Sequence, residues 1–305
     1  MDSTIIKIIS DLPSANAAAT CLEHQVRNMS YIMKFLIFFF FLIFFLTDIS
    51  FAQSSFPLKL EIKEVARYSH DGGAFTQGLV YDDGFLYEST GEYKSSTLRQ
   101  VELKTGKAIR MVKLPDRYFA EGIHIVGNKI YQLTWREEYC FVYDKNSFNL
   151  IGQFRYKGEG WGITYDGKNL IMSDGSDQLT FLEPDNFKPV RKIRVKDIDV
   201  KTKKSFPVRD LNELEYINGE IWANIWQSTQ VARINPETGE VIGRIEFAAF
   251  VPPELRNEQN LKWGERRCVL NGIAYDPKKK RIYITGKNWK ILYEFEIVQP
   301  NVNIQ

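Results

Sequence analysis

Five times along the chain the same short pattern returns: an apolar strand, a turn built from Asp, Asn, Gly or Pro, and a second apolar strand. The copies occupy 78–91, 122–135, 162–175, 213–226 and 272–287. Period-two alternation on both sides of such a turn predicts a β-hairpin. The copies start 44, 40, 51 and 59 residues apart, which fits the blade of a β-propeller better than any helical repeat. Between copies lies a further strand pair with its own turn, at 98–107, 141–148, 181–187 and 231–240. Four strands per unit and five units predict an all-β, five-bladed propeller. The last unit ends after 291–298, one strand short, while 58–68 alternates at period two and has no blade of its own. That N-terminal strand is expected to join the last blade, close the ring and leave no long bare edge.

A chain of 305 residues has room for two average domains, but the repeat argues for one, over 53–305. Residues 1–52 read as an N-terminal extension and signal peptide. Its core is the charge-free run 35–46, preceded by Lys34; twelve residues are short for a membrane span and suit a signal core. Ser50 and Ala52 place cleavage after Ala52 and make Gln53 the new N-terminus. The competing reading is an uncleaved signal anchor. Cleavage would deliver a monomer with no stable membrane association to the secretory pathway, whether endoplasmic reticulum, vacuole or cell exterior. Cys140 and Cys268 follow the signal, and the sequence leaves open whether they pair or stay free. A net charge of +2 with 26% charged residues gives no reason to expect a nucleic-acid partner or an anionic membrane surface.

In an antiparallel hairpin the residue before the first strand and the residue ending the second lie at one end. With the first strands lining a central channel, these positions form a ring at one mouth. The first set is Gln77, Glu121, Trp161, Asn212 and Asn271; the second is Gly91, Trp135, Gly175, Trp226 and Lys287. Turn positions with a purely structural task would hold Gly, Asp or Ser. Here three indoles, three carboxamides, a carboxylate and an ammonium converge, a cup suited to a small polar organic group. Glu121 among indoles should have its carboxyl raised from about 4.3 toward neutrality, where protons are moved. Asn271 reads best as a turn cap.

Metal chemistry has little support. Only His70 and His124 lie beyond the signal, no spacing resembles a zinc motif, and the Asp-rich turn 173–177 lacks the grammar of a calcium hand. No metal ligand set is assigned. One mouth carboxylate is too few for an anionic calcium cage, although the channel leaves room for a structural calcium on backbone oxygens. No Ser, Cys or Thr stands in a nucleophile elbow.

Several segments resemble a known family: Ala74-Phe75-Thr76-Gln77-Gly78, Tyr118-Phe119-Ala120-Glu121-Gly122, Gly160-Trp161-Gly162, Leu211-Asn212-Glu213-Leu214-Glu215, Trp222-Ala223-Asn224-Ile225-Trp226 and Thr285-Gly286-Lys287. They are similar to the plant and bacterial type of glutamine cyclotransferase, over about Phe75 to Phe295. The resemblance implies a five-bladed propeller that converts N-terminal glutaminyl residues of peptides and proteins to pyroglutamate with release of ammonia, requiring no cofactor and no zinc. It places Phe75, Gln77, Glu121, Trp135, Trp161, Asn212, Trp226 and Lys287 in the pocket. Glu121 would be the general acid and base, and Lys287, with Asn212 or Gln77, would donate to the carbonyl oxygen. One departure is Ala120, where the family often has Gly. The cup fits such a reaction, because the substrate supplies both nucleophile and electrophile and needs mainly to be folded on itself. Gln53 would itself then be a substrate. Two other classes compete: a catalytically silent propeller that binds peptide N-termini or protein partners, and a metal-dependent propeller hydrolase.

Overall fold

The computed structural model describes residues 60–298. The contacts divide the chain into Met1–Phe56 and Pro57–Gln305, and everything described belongs to the second unit. The signal core at 35–46, cleavage after Ala52 and the new terminus Gln53 lie outside the described residues.

Five four-stranded antiparallel sheets follow one another. Blade 1 runs from Thr76 to Lys113, blade 2 from Ala120 to Arg155, blade 3 from Ile163 to Arg194 and blade 4 from Leu211 to Glu246. Blade 5 takes three strands from Leu270 to Val298, and its fourth is Glu61–Ser69, paired antiparallel with Ile291–Val298. The first strands of the blades are Thr76–Asp82, Ala120–Val126, Ile163–Tyr165, Leu211–Ile217 and Leu270–Asp276. Each packs against the next, and the last returns to the first. The fold is a five-bladed β-propeller.

The alternation that predicts the strands also builds the core. Successive side chains on one strand face opposite neighbouring blades: Leu79 packs with Ala274 and Tyr283 of blade 5, whereas Val80 packs with Ile123 and Ile130 of blade 2. Five apolar clusters result, one for each blade-to-blade interface. The two long repeat spacings are explained by insertions between blades. A small hairpin, Lys196–Ile198 with Ser205–Pro207, precedes blade 4, and two 3-10 turns, Ala248–Phe250 and Pro253–Asn260, precede blade 5.

Close approach around the axis restricts the residue after each mouth position. A Cβ on Gly122 would stand 2.8 Å from the Cα of Gly162, and one on Gly162 would overlap the carbonyl of Asn212. Only glycine lets these backbones meet. Blade 4 breaks the column with Glu213, whose side chain enters the channel instead.

Candidate active site

The mouth residues sit on bulges. In blades 1, 2, 4 and 5 the register between first and second strand shifts at Thr76/Gly78, Ala120/Ile123, Leu211/Leu214 and Leu270/Ile273. Each shift contains the mouth residue: Gln77, Glu121, Asn212 or Asn271. They therefore lie inside the strands, one residue from the start, rather than before them as the sequence suggests. The extra bulge residue bends the strand and re-aims a side chain. At the opposite position the backbone N–H of Gly91, Trp135, Trp226 and Lys287 donates at 2.8–2.9 Å to the carbonyls of Phe75, Phe119, Asp210 and Val269. The four blades thus present their pairs in one frame.

Gln77 Nε2 donates to Glu121 Oε1 at 3.1 Å, and both side chains are buried. Lys287 is equally buried, with its Nζ 4.7 Å from the centre of the Phe75 ring. Burial pushes the Glu121 carboxyl well above its ordinary value of 4.5; the Lys287 ammonium offsets part of the rise, and Glu159 and Glu137 add to it. Burial lowers Lys287 to about 8, against the pull of Glu121 and Glu92, with Arg267 adding to the fall. Enclosure therefore brings the proton affinities of the two groups toward each other, the condition under which a proton moves at little cost.

The aromatic wall consists of two runs of rings joined through one carboxylate. Trp161 meets Trp226 edge-on at 5.7 Å between ring centres, and Phe119 bridges Phe75 at 6.3 Å and Trp135 at 5.5 Å. The Trp135 and Trp161 indole N–H groups both donate to Glu159 Oε2, at 2.8 and 2.9 Å. Arg136 holds the other oxygen at 3.0 Å. Glu159 thereby locks two indoles with one carboxylate. Outside the cup, the insertion before blade 5 places Trp263 6.2 Å from Trp226 and Arg267 over Phe75 at 5.6 Å. Asn212 is buried with its Oδ1 lacking a partner among the described residues. The eight residues singled out from the sequence thus sit at one end of the blades, at the starts of first strands or the ends of second strands.

Sequence reasoning missed part of the site. It gave the mouth a single carboxylate, whereas Glu159 stands behind the indoles and Glu137 accepts from Tyr93 at 2.9 Å. Neither belongs to the two sets of mouth positions that the hairpin repeat marks, so a reading confined to those sets passes over them. It also missed two carboxylates in the channel. Glu213 accepts from the backbone N–H of Ile273 at 2.9 Å and of Leu79 at 3.4 Å, and Glu215 accepts from Tyr275 N at 3.1 Å. The sign for Glu213 was a Glu in a column otherwise held by Gly. Among the described residues no group of three or more His, Cys, Asp or Glu could hold a metal. Cys140 and Cys268 are both free thiols, the first buried.

The mouth brings together an enclosed carboxyl, an enclosed ammonium, a side-chain amide and aromatic rings. The profile of the glutamine cyclotransferase family matches residues 41–297. The chain belongs to the glutamine cyclotransferase family. It is 40% identical over 244 residues to the glutaminyl-peptide cyclotransferase of Arabidopsis thaliana, covering 79% of this chain and 72% of the relative. The crystal structure of Myxococcus xanthus glutaminyl cyclase superposes with a TM-score of 0.68 at 39% identity, covering 78% of this chain and 98% of that one. This family membership agrees with the fold and with the reaction that the sequence motifs imply.

Proposed function

We infer that the cup cyclises N-terminal glutaminyl residues of peptides and proteins to pyroglutamate, with Glu121 as the group that moves the proton. The observation that carries this role is the enclosed Glu121 and Lys287 pair, whose proton affinities burial brings together. The α-amine attacks the γ-carbonyl carbon; a carbon–nitrogen bond forms as the carbonyl π pair moves to oxygen. Glu121 takes a proton from the amine and returns one to the γ-nitrogen. The oxygen pair then re-forms the carbonyl, the second carbon–nitrogen bond breaks, and ammonia leaves. Atoms and charge balance without a covalent enzyme residue.

Each remaining group has a task. Lys287 donates to the γ-oxygen as charge develops, a contribution of about 3 kcal/mol for one well-placed donor. Gln77 already gives its NH2 to Glu121, so of the two carboxamides considered as second donor, Asn212 is the one we assign. The indoles of Trp135, Trp161 and Trp226, with Phe75, press the side chain into the curl that brings amine and amide together. Such a scheme calls for no metal; a calcium in the channel would have only a structural part. Cleavage after Ala52 would place the enzyme, as a monomer, in the secretory pathway, where signal removal exposes N-terminal Gln.

Ammonia release from a glutaminyl peptide by the chain starting at Gln53, with and without a strong chelator, tests the reading. Release unchanged by the chelator is the expected result. Release abolished by chelation would give the reaction to a metal, and no release from a folded sample would make the cup a binding site for peptide N-termini.

A further inference from the structure

Asn271 lies on the blade 5 bulge, fully buried, where the sequence suggests only a turn cap. Its Nδ2 donates to the Thr76 carbonyl at 3.0 Å and to Gln77 Oε1 at 3.4 Å, and Gln77 donates onward to Glu121 Oε1 at 3.1 Å. The direction of this chain is fixed at its origin. A backbone carbonyl only accepts, so the Asn271 group facing Thr76 is the NH2. That NH2 also faces Gln77, and turns the Gln77 oxygen toward itself. Only the Gln77 NH2 is then left for Glu121.

We propose that Asn271 is a positioning residue that locks the Gln77 amide as a permanent donor to one oxygen of Glu121, leaving the other oxygen for the substrate amine. The proposal rests on the role given to Glu121 above. A fixed donor favours the carboxylate over the acid. Without Asn271 the Gln77 amide can turn over and accept from a protonated Glu121 instead, which favours the acid. The other titratable groups acting on or near Glu121 are Lys287, Glu159, Glu137, Tyr156 and Tyr93, and all remain in an Asn271 variant. Any change therefore reports the amide relay.

The test compares Asn271→Ala, Gln77→Ala and the double variant in two ways. One is the pH profile of kcat/KM; the other is the titration of the Glu121 carboxyl by infrared difference against Glu121→Gln. Each single variant should move the acidic limb and the carboxyl titration upward by about one pH unit, lowering kcat/KM on that limb about tenfold. The double variant should move them no further than Gln77→Ala alone. Asn271→Leu, which keeps the volume and loses the NH2, should behave as Asn271→Ala does. A loss of the same factor in the presence and absence of Gln77, or an unmoved titration, would assign Asn271 to packing and overturn the proposal. The infrared titration needs no turnover, so it reads the relay even in a protein that releases no ammonia, an outcome that would count against the cyclase reading instead.

Discussion

Glu121 at the mouth and Glu213 in the channel are both enclosed carboxylates, and burial pushes both well above 4.5. Their partners separate them. Glu213 spends both oxygens on backbone N–H groups of blades 5 and 1, so it ties strands together across the axis. Glu121 accepts from one side-chain amide and faces an ammonium. A raised proton affinity is thus common to the two regions, and the difference is that both oxygens of Glu213 are tied to backbone, whereas the role proposed for Glu121 uses the oxygen that Gln77 does not hold.

The strongest attempt to break this contrast is to exchange each acid for its amide. Glu121→Gln should cut turnover about 10²–10⁴-fold while the melting temperature holds. Glu213→Gln should do the reverse, because its NH2 would confront a backbone N–H and leave a donor unpaired, costing about 1–3 kcal/mol. Melting scans beside ammonia release decide it; equal loss of turnover in both variants would erase the distinction.

A smaller effect is expected at the other half of the mouth pair. Lys287→Ala should lower kcat about a hundredfold, as expected for loss of one oxyanion donor, with KM little changed. In the intact enzyme the rate should fall as pH rises through about 8, where Lys287 loses its proton. That alkaline limb should vanish in the variant. A change confined to KM would remove Lys287 from the oxygen.

The smallest effect belongs to the channel and appears in stability. Burial raises Glu215 to about 8 from 4.5, so between these values the folded state binds more protons than the unfolded one, and stability falls as pH rises. His124, lowered by burial to about 4 from 6.5, acts in the opposite sense below 6.5. From 6.5 to about 8 His124 is silent, and because Glu121 and Glu213 act in the same sense as Glu215, it is the change of slope in a Glu215 variant that isolates its share. Glu215→Gln should flatten the fall of melting temperature there, and an unchanged slope would show that Glu215 does not titrate on folding.

What the sequence reveals follows the same division. Hairpin alternation is a local signal, so five blades and their order are legible, and repeat equivalence picks out Gln77, Glu121, Asn212, Trp135, Trp226 and Lys287 as one ring. The bulges are not legible, since a register shift depends on the partner strand. Glu159 escapes for a similar reason: it lies two residues before Trp161, yet its hold on Trp135 spans 24 residues between two blades. Asn271 is legible as a mouth position, but the bonds it makes are not. A turn cap and a relay look alike until the Thr76 carbonyl and the Gln77 amide are in place around it.

The pairing of Glu61–Ser69 with Ile291–Val298 has a bearing on how the molecule is made. Glu61 must find Val298 at the far end of the chain, a contact of very high sequence separation that forms late and slowly. Blades 1 to 4 can form on the emerging polypeptide, each from neighbouring strands. The seam cannot. Gln77 belongs to the first blade, and Asn271 and Lys287 to the last, so the hydrogen bonds from Asn271 through Gln77 to Glu121 come into being only when blade 5 meets blade 1. Until then a nascent chain carries the parts of the mouth without the mouth, so assembly of the site coincides with closure of the ring.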